Sequence, residues 1–211
     1  MAQSLITTWL GTGSINVFAL PFGGKDTQCQ LLERDLSASL LGSGQILRDT
    51  SALSPEATAM MERGELIPRE DFLGIVVPVL EDPVYAGRPL ILSSVGRFYG
   101  EQEVVSEALA VSGHPIKSVI LLEVSVETAL ARHVASQASA DRGQRADDDP
   151  AALPVRFNEF EAKTRPVIDW YAKQGLLIRV DGEGSPVAVY EQIQTELQYM
   201  ARYADYQAKR T

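Results

Sequence analysis

Ile15-Asn16-Val17-Phe18-Ala19-Leu20-Pro21-Phe22-Gly23-Gly24-Lys25-Asp26-Thr27-Gln28 is the stretch whose reading decides the fold. The apolar run Ile15–Leu20 reads as a strand. Lys25–Leu36 reads as a helix with Leu31, Leu32 and Leu36 on its inner side, so the two glycines sit at a strand-loop-helix junction. Gly23 and Gly24 let successive backbone N–H groups turn inward around phosphate oxygens, while the new helix offers its positive dipole end to the same anion. Lys25 adds a mobile charge for the outer phosphates, and Thr27 supplies a hydroxyl of the kind that helps hold Mg²⁺. Ala19 stands where the G-x-x-x-x-G-K pattern has its first glycine, and the hydroxyl comes one position late, behind Asp26. A Gly-Gly turn before a surface lysine is the bland alternative, and the residues further along weigh against it.

Outward from this loop, strands and helices alternate. Ala38–Leu41 reads as a second strand, followed by helical signals at Gln45–Asp49, at Ser54–Arg63 with Ser54 as N-cap and Gly64 as terminator, and at Pro68–Leu80 with Glu70 and Asp71 in its first turn. Pro89–Val95 and Lys117–Val124 read as buried strands, and Glu101–Val111 as the helix between them. A helix at Val126–Ala138, capped by Ser125, leads to the polar stretch Ser139–Pro150. One long amphipathic helix is expected over Pro154–Gln174, a fifth strand over Leu176–Val180, and a last helix from Ser185-Pro186 past Tyr199. Residues 1–14 read as a short extension laid on the domain. The pattern predicts an α/β protein: a five-stranded parallel sheet with helices on both faces, in one domain over residues 1–211, with ligands at the carboxyl ends of the strands.

The chain has 211 residues, 45% of them hydrophobic, enough for one full core. A net charge of −9 argues against nucleic acid or an anionic membrane as partner, so an anionic ligand must meet local arginines. The single cysteine, Cys29, excludes an internal disulfide and a cysteine-based zinc site, and reads as a buried apolar residue. His114 and His133 lie far apart and suggest no metal pair, and Asp147, Asp148 and Asp149 read as a solvated helix entry. No Lys or Arg precedes Lys25 and no apolar run reaches about 18 residues, so an intracellular, cytoplasmic protein is expected.

Arg48, Arg97, Arg132, Arg145 and Arg156 fall after strand ends or in the polar stretch, as phosphoryl transfer between two nucleotides requires of its cations. At these positions the sequence resembles the adenylate kinase family of P-loop nucleoside monophosphate kinases, over roughly residues 15–200. The family loop G-x-P-G-x-G-K-G-T-Q is matched at Pro21, Gly24, Lys25, Thr27 and Gln28, with Ala19, Phe22 and Asp26 in place of glycines. Ser43-Gly44-Gln45-Ile46-Leu47-Arg48 looks like the family's S-T-G-D-M-L-R, and Gly64-Glu65-Leu66-Ile67 like its G-x-L-V segment. Ser93-Ser94-Val95-Gly96-Arg97 is similar in position to D-G-F-P-R, and Val180-Asp181-Gly182 with Pro186 to its V-D-G…P.

The resemblance implies a kinase that moves the γ-phosphoryl of Mg²⁺-ATP to a nucleoside monophosphate, AMP first, in the fold of P-loop nucleoside triphosphate hydrolases. It implies catalytic roles for Lys25, Arg97, Arg132, Arg145 and Arg156. It implies ATP binding by Pro21, Phe22, Gly23, Gly24, Lys25, Asp26, Thr27, Arg132, Gly184 and Ser185. Monophosphate binding would fall to Ser43, Arg48, Glu65, Leu66, Ile67, Ser94, Arg97 and Gln102, within a helical region at 43–80, under a short lid at 137–150. Mg²⁺ would meet Thr27 and, through water, Asp26, which would replace the family carboxylate missing at Ser93; no zinc is implied. ATP and a nucleoside monophosphate are the partners, with a monomer as the expected state. A kinase for another (deoxy)nucleoside monophosphate, or a nucleotide-binding regulator with weak or no turnover, stays open, because Ala19, Phe22, Ser93 and Ser136 depart from the pattern.

Overall fold

The computed structural model describes residues 2–139 and 149–210. Strand β1, Ser14–Ala19, is buried at every position, as a strand covered on both faces must be. It lies at the centre of a five-stranded parallel sheet with β2 (Ser39–Gly42), β3 (Leu90–Ser93), β4 (Ile116–Glu123) and β5 (Leu177–Asp181), in the order β2-β3-β1-β4-β5. The expected sheet is therefore present, with each strand shifted by one or two residues at most.

The period-two alternation of these strands divides the core. Ile15, Val17, Ile91, Ile120 and Leu122 pack on one face with Cys29 and Leu32 of α2 (Lys25–Leu36) and with Ile193 and Leu197 of α10 (Pro186–Ala208). On the other face, Leu90 and Leu92 pack against α5 (Arg69–Leu80) and α6 (Glu101–Val111), and Phe18, Leu20, Val119 and Leu121 meet α9 (Arg165–Lys173). Helices α3 (Ser43–Asp49), α4 (Pro55–Glu62) and α5 form the helical unit between β2 and β3, and α7 (Val126–Ser139) follows β4. Two predicted caps are made: Ser54 Oγ accepts from Ala57 N at 3.1 Å, and Ser125 Oγ accepts from Thr128 N at 3.1 Å.

Two elements differ from the sequence reading. Residues Ala2–Leu10 form a helix, α1, whose Ile6 and Leu10, spaced i and i+4, are buried in the cluster that holds Ile193 and Leu197 of α10. The long helix expected over Pro154–Gln174 is α8 (Leu153–Glu159), then a π-helical turn, Phe160–Thr164, then α9. In that turn Arg165 N–H donates to Phe160 O, five residues back. Among the described residues no helix is long and apolar enough to cross a membrane.

The strand order fixes where a ligand can go. The loops that leave β1 and β3 emerge side by side at the carboxyl edge of the sheet, where the order reverses around β1. Buried polar groups hold the β3 loop in place. Asn16 Nδ2 donates to Val95 O at 2.7 Å while its Oδ1 accepts from Val95 N at 3.2 Å, so one buried amide satisfies both backbone groups. Ser94 N–H donates to Val17 O at 3.0 Å, and Ser43 Oγ donates to Ser94 O at 2.8 Å, tying the start of α3 to the same loop.

Candidate active site

The loop from Leu20 to Gly24 ends in the N-terminus of α2, with Gly24 as N-cap at φ 87°. Gly23 is confined by close approach: a Cβ there would sit 2.8 Å from both Ala19 Cβ and Leu20 O. The loop forms the floor of a cleft of about 860 Å³ at the carboxyl edge of the sheet, within the range of about 300–1,000 Å³ usual for small-ligand sites. Its walls carry Pro21, Phe22, Gly23, Gly24, Lys25, Asp26 and Thr27 on one side and Ser43, Arg48, Glu65, Leu66, Ser94 and Arg97 on the other, with Arg132 and Arg156. Four arginines and the loop lysine, drawn from five segments of the chain, thus face one space.

Each cation is placed by its own element. Lys25 Nζ contacts Asp26 Oδ1 at 2.5 Å, and the same carboxylate oxygen accepts from Ser93 Oγ at 3.0 Å. Arg48, on the last turn of α3, folds back so that a Cβ on Gly44 would lie 3.2 Å from its Nη1. Arg97 sits in the β3 loop, whose backbone is wrapped around Glu101: Oε2 of that residue accepts from Arg97 N at 2.8 Å and from Phe98 N at 2.9 Å. Burial raises the Glu101 carboxyl above its ordinary value, partly offset by those two N–H groups. Arg132, on α7, donates through Nη2 to the carbonyls of Gly182, Glu183 and Gly184 at 2.8, 3.4 and 3.3 Å, and Glu183 Oε1 accepts from Ser125 N at 2.6 Å, so the loop after β5 is clasped to α7. Arg156, on α8, lies against Gly64, where a Cβ would meet its Cγ at 2.6 Å.

Other expected residues stand differently. Gln102 is fully buried and does not line the cleft; its Oε1 accepts from Gly100 N at 2.6 Å. Ile67 is 4% exposed and packs in the core beside Phe72 and Val76. Ser185 caps α10 by accepting from Ala188 N at 3.3 Å, and Gly184 reaches the site through its carbonyl on Arg132. Arg145 lies outside the described residues, as do positions 140–148 of the expected lid. Cys29 is buried beneath the loop and burial pushes its thiol up to about 12, which keeps it protonated and inert at neutral pH.

The sequence reading missed a linked group on the wall of the cleft that carries Glu65 and Leu66. Glu159 Oε2 accepts from Leu66 N at 2.9 Å and from Lys163 Nζ at 2.6 Å, and Lys163 Nζ lies 5.4 Å from the centroid of the Phe98 ring. The segments around 65, 98 and 160 are joined by these contacts. Of these contacts, only the i,i+4 spacing of Glu159 and Lys163 is visible in the sequence.

Asp26, Thr27 and Ser93 bring oxygen donors to the same end of the cleft as Lys25. Hard oxygen donors in small number suit Mg²⁺, which keeps most of its waters and takes the rest of its ligands from phosphates.

The family model described as adenylate kinase matches residues 17–176. An adenylate kinase of Deinococcus radiodurans is 35% identical over 182 residues, covering 82% of this chain and 90% of its own length. One from Thermus thermophilus is 31% identical over 193 residues, covering 89% of this chain and 99% of its own, and one from Stenotrophomonas maltophilia is 33% identical over 168 residues, covering 78% and 88%.

Proposed function

The chain belongs to the adenylate kinase family and is a phosphotransferase that acts on nucleoside monophosphates, and from that premise we propose that it moves the γ-phosphoryl of Mg²⁺-ATP to AMP, giving two ADP. The observation that carries this reading is the convergence of Lys25, Arg48, Arg97, Arg132 and Arg156 on one cleft floored by a phosphate loop. The acceptor is already an anionic phosphate oxygen, so no protein base and no covalent intermediate is needed; positioning and charge neutralisation carry the rate.

In this reading the N–H groups at Gly23, Gly24 and Lys25 and the N-terminus of α2 hold the donor phosphates, and Lys25 leaves Asp26 for the outer ones. Arg132 and the carbonyl side of Gly184 and Ser185 flank the donor base. Ser43, Arg48, Glu65, Leu66, Ser94 and Arg97 hold the acceptor within the region 43–80, with Ile67 behind them and Gln102 supporting the β3 loop. Arg97, Arg132, Arg145 and Arg156 neutralise the migrating phosphoryl, and the segment 137–150 covers it against water. Thr27 and Asp26 would hold Mg²⁺, directly and through water; the ion supplies charge neutralisation at the phosphate oxygens. The protein is read as a cytoplasmic monomer whose partners are nucleotides, consistent with its charge of −9.

The test is ADP formation from Mg²⁺-ATP with AMP, CMP, UMP, GMP and the deoxynucleotides, on wild type and Lys25→Ala. The expected result is turnover with AMP that falls by about a hundredfold or more in the variant. Turnover with a different monophosphate alone would move the acceptor assignment. Turnover with none above the Lys25→Ala background would overturn the kinase reading.

A further inference from the structure

Phe22 stands in the phosphate loop with φ 61°, in the left-handed region that a bulky side chain avoids. Such a conformation persists only where surrounding structure holds it, and it concentrates at functional sites. The residue is buried, at 8% exposure. One side meets the imidazole of His133 on α7, centroid to centroid 4.6 Å at an interplanar angle of 69°. The Arg156 guanidinium carbon lies 5.7 Å from the ring centroid, within reach of the attraction between a cation and an aromatic face. Arg156 itself rests on Gly64 of the acceptor side. The ring therefore connects the donor loop, the helix before the expected lid and the arginine after it.

We propose that Phe22 is a positioning residue for phosphoryl transfer: its ring, braced by His133, holds the Arg156 guanidinium over the phosphate loop. The proposal rests on the reading of Arg156 as a cation at the migrating phosphoryl. A side chain that acts through Arg156 works chiefly on the transition state, so, beyond whatever its place in the cleft wall gives to ATP binding, its removal lowers kcat more than it changes KM.

The experiment is a kinetic cycle of Phe22→Leu and Arg156→Ala with Mg²⁺-ATP and AMP. Leucine meets the same backbone penalty as phenylalanine and remains apolar, so the exchange removes chiefly the aromatic face. Phe22→Leu is expected to lower kcat by about five- to tenfold with both KM values within about twofold, and Phe22→Tyr to recover most of that loss. In the Arg156→Ala background, Phe22→Leu is expected to change kcat by less than about twofold, because the guanidinium it positions is gone. An undiminished kcat in Phe22→Leu, or a loss that multiplies fully with that of Arg156→Ala, overturns the proposal while leaving the kinase reading intact. An Arg156→Ala enzyme with wild-type kcat overturns both the role of Arg156 and the proposal. If Phe22→Leu does not fold, Phe22→Met carries the same cycle with the same outcomes.

Discussion

Replacing Gly64 by alanine tests whether the contact between Gly64 and Arg156 matters to the chemistry. Gly64 has φ 82°, so alanine there costs about 1–2 kcal/mol of backbone strain. Its Cβ would also stand 2.6 Å from Arg156 Cγ and 3.0 Å from Ala152 O, so the arginine stem must move by about 0.8 Å to reach ordinary contact. A misplacement of about 1 Å in a group that meets the transition state can cost up to about a hundredfold in rate. Gly113, with φ 84° and no atom within 4 Å of an added Cβ, provides the matched control, because it carries the strain without the collision. Thermal unfolding and steady-state turnover of both variants separate the effects. Each should lose about 2–8 °C in Tm, and Gly64→Ala alone should lose about ten- to a hundredfold in kcat. Equal kcat in the two variants would refute the argument from the collision.

Asp26→Ala should abolish most Mg²⁺-dependent turnover, whereas Ser93→Ala, which deletes one hydrogen bond to Asp26, should cost about tenfold or less; the reverse ranking in a Mg²⁺ titration would end the assignment of Asp26. Glu159→Ala frees the Leu66 backbone N–H and should raise KM for AMP several-fold with KM for ATP unchanged, and an effect confined to ATP would refute it. Burial raises the Glu101 carboxyl, so the folded chain keeps that proton to higher pH than the unfolded chain, and the group's share of stability is lost as pH climbs from 4.5 through the folded value. Glu101→Gln keeps an oxygen for the N–H groups of Arg97 and Phe98, so its Tm relative to wild type should rise from acid to neutral pH; a flat or falling difference would contradict the burial argument.

The alternation of apolar strands and capped helices was legible because each signal is local. Ile15–Leu20 is apolar at nearly every position, and Ser54 and Ser125 announce their helices within three residues. Residue type and spacing also picked out the Gly-Gly-Lys turn between β1 and α2 and the arginines Arg48, Arg97, Arg132 and Arg156 that line the cleft. Contacts between distant segments left no such trace. Nothing near Phe22 in the sequence announces His133 or Arg156, and Glu159 reveals Lys163 but not Leu66. Gln102 was read for its chemistry, yet the fold places its amide beneath the loop, where it holds Gly100. The helix α1 carries no charged residue, and its amphipathic face acquires meaning only against α10. The π turn escaped because Phe160 and Thr164 keep the i,i+4 spacing of an ordinary helix.

That turn acts as a phase coupling on a rotating shaft. Upstream of it Arg156 and Glu159 face the cleft, and downstream Val167, Ile168 and Tyr171 pack on the sheet. The bond from Arg165 N–H to Phe160 O stacks residue 165 where an ordinary helix would stack residue 164, so the turn absorbs one extra residue, worth about 100° of winding, and keeps both halves in place. Deleting one residue between 160 and 164 would close the turn to α winding with both halves still aligned, whereas deleting one between Val167 and Tyr171 of α9 would turn Tyr171 about 100° away from the sheet. A single-residue deletion between 160 and 164 should therefore lower Tm far less than one between Val167 and Tyr171, although both remove one residue from the same continuous run of helix.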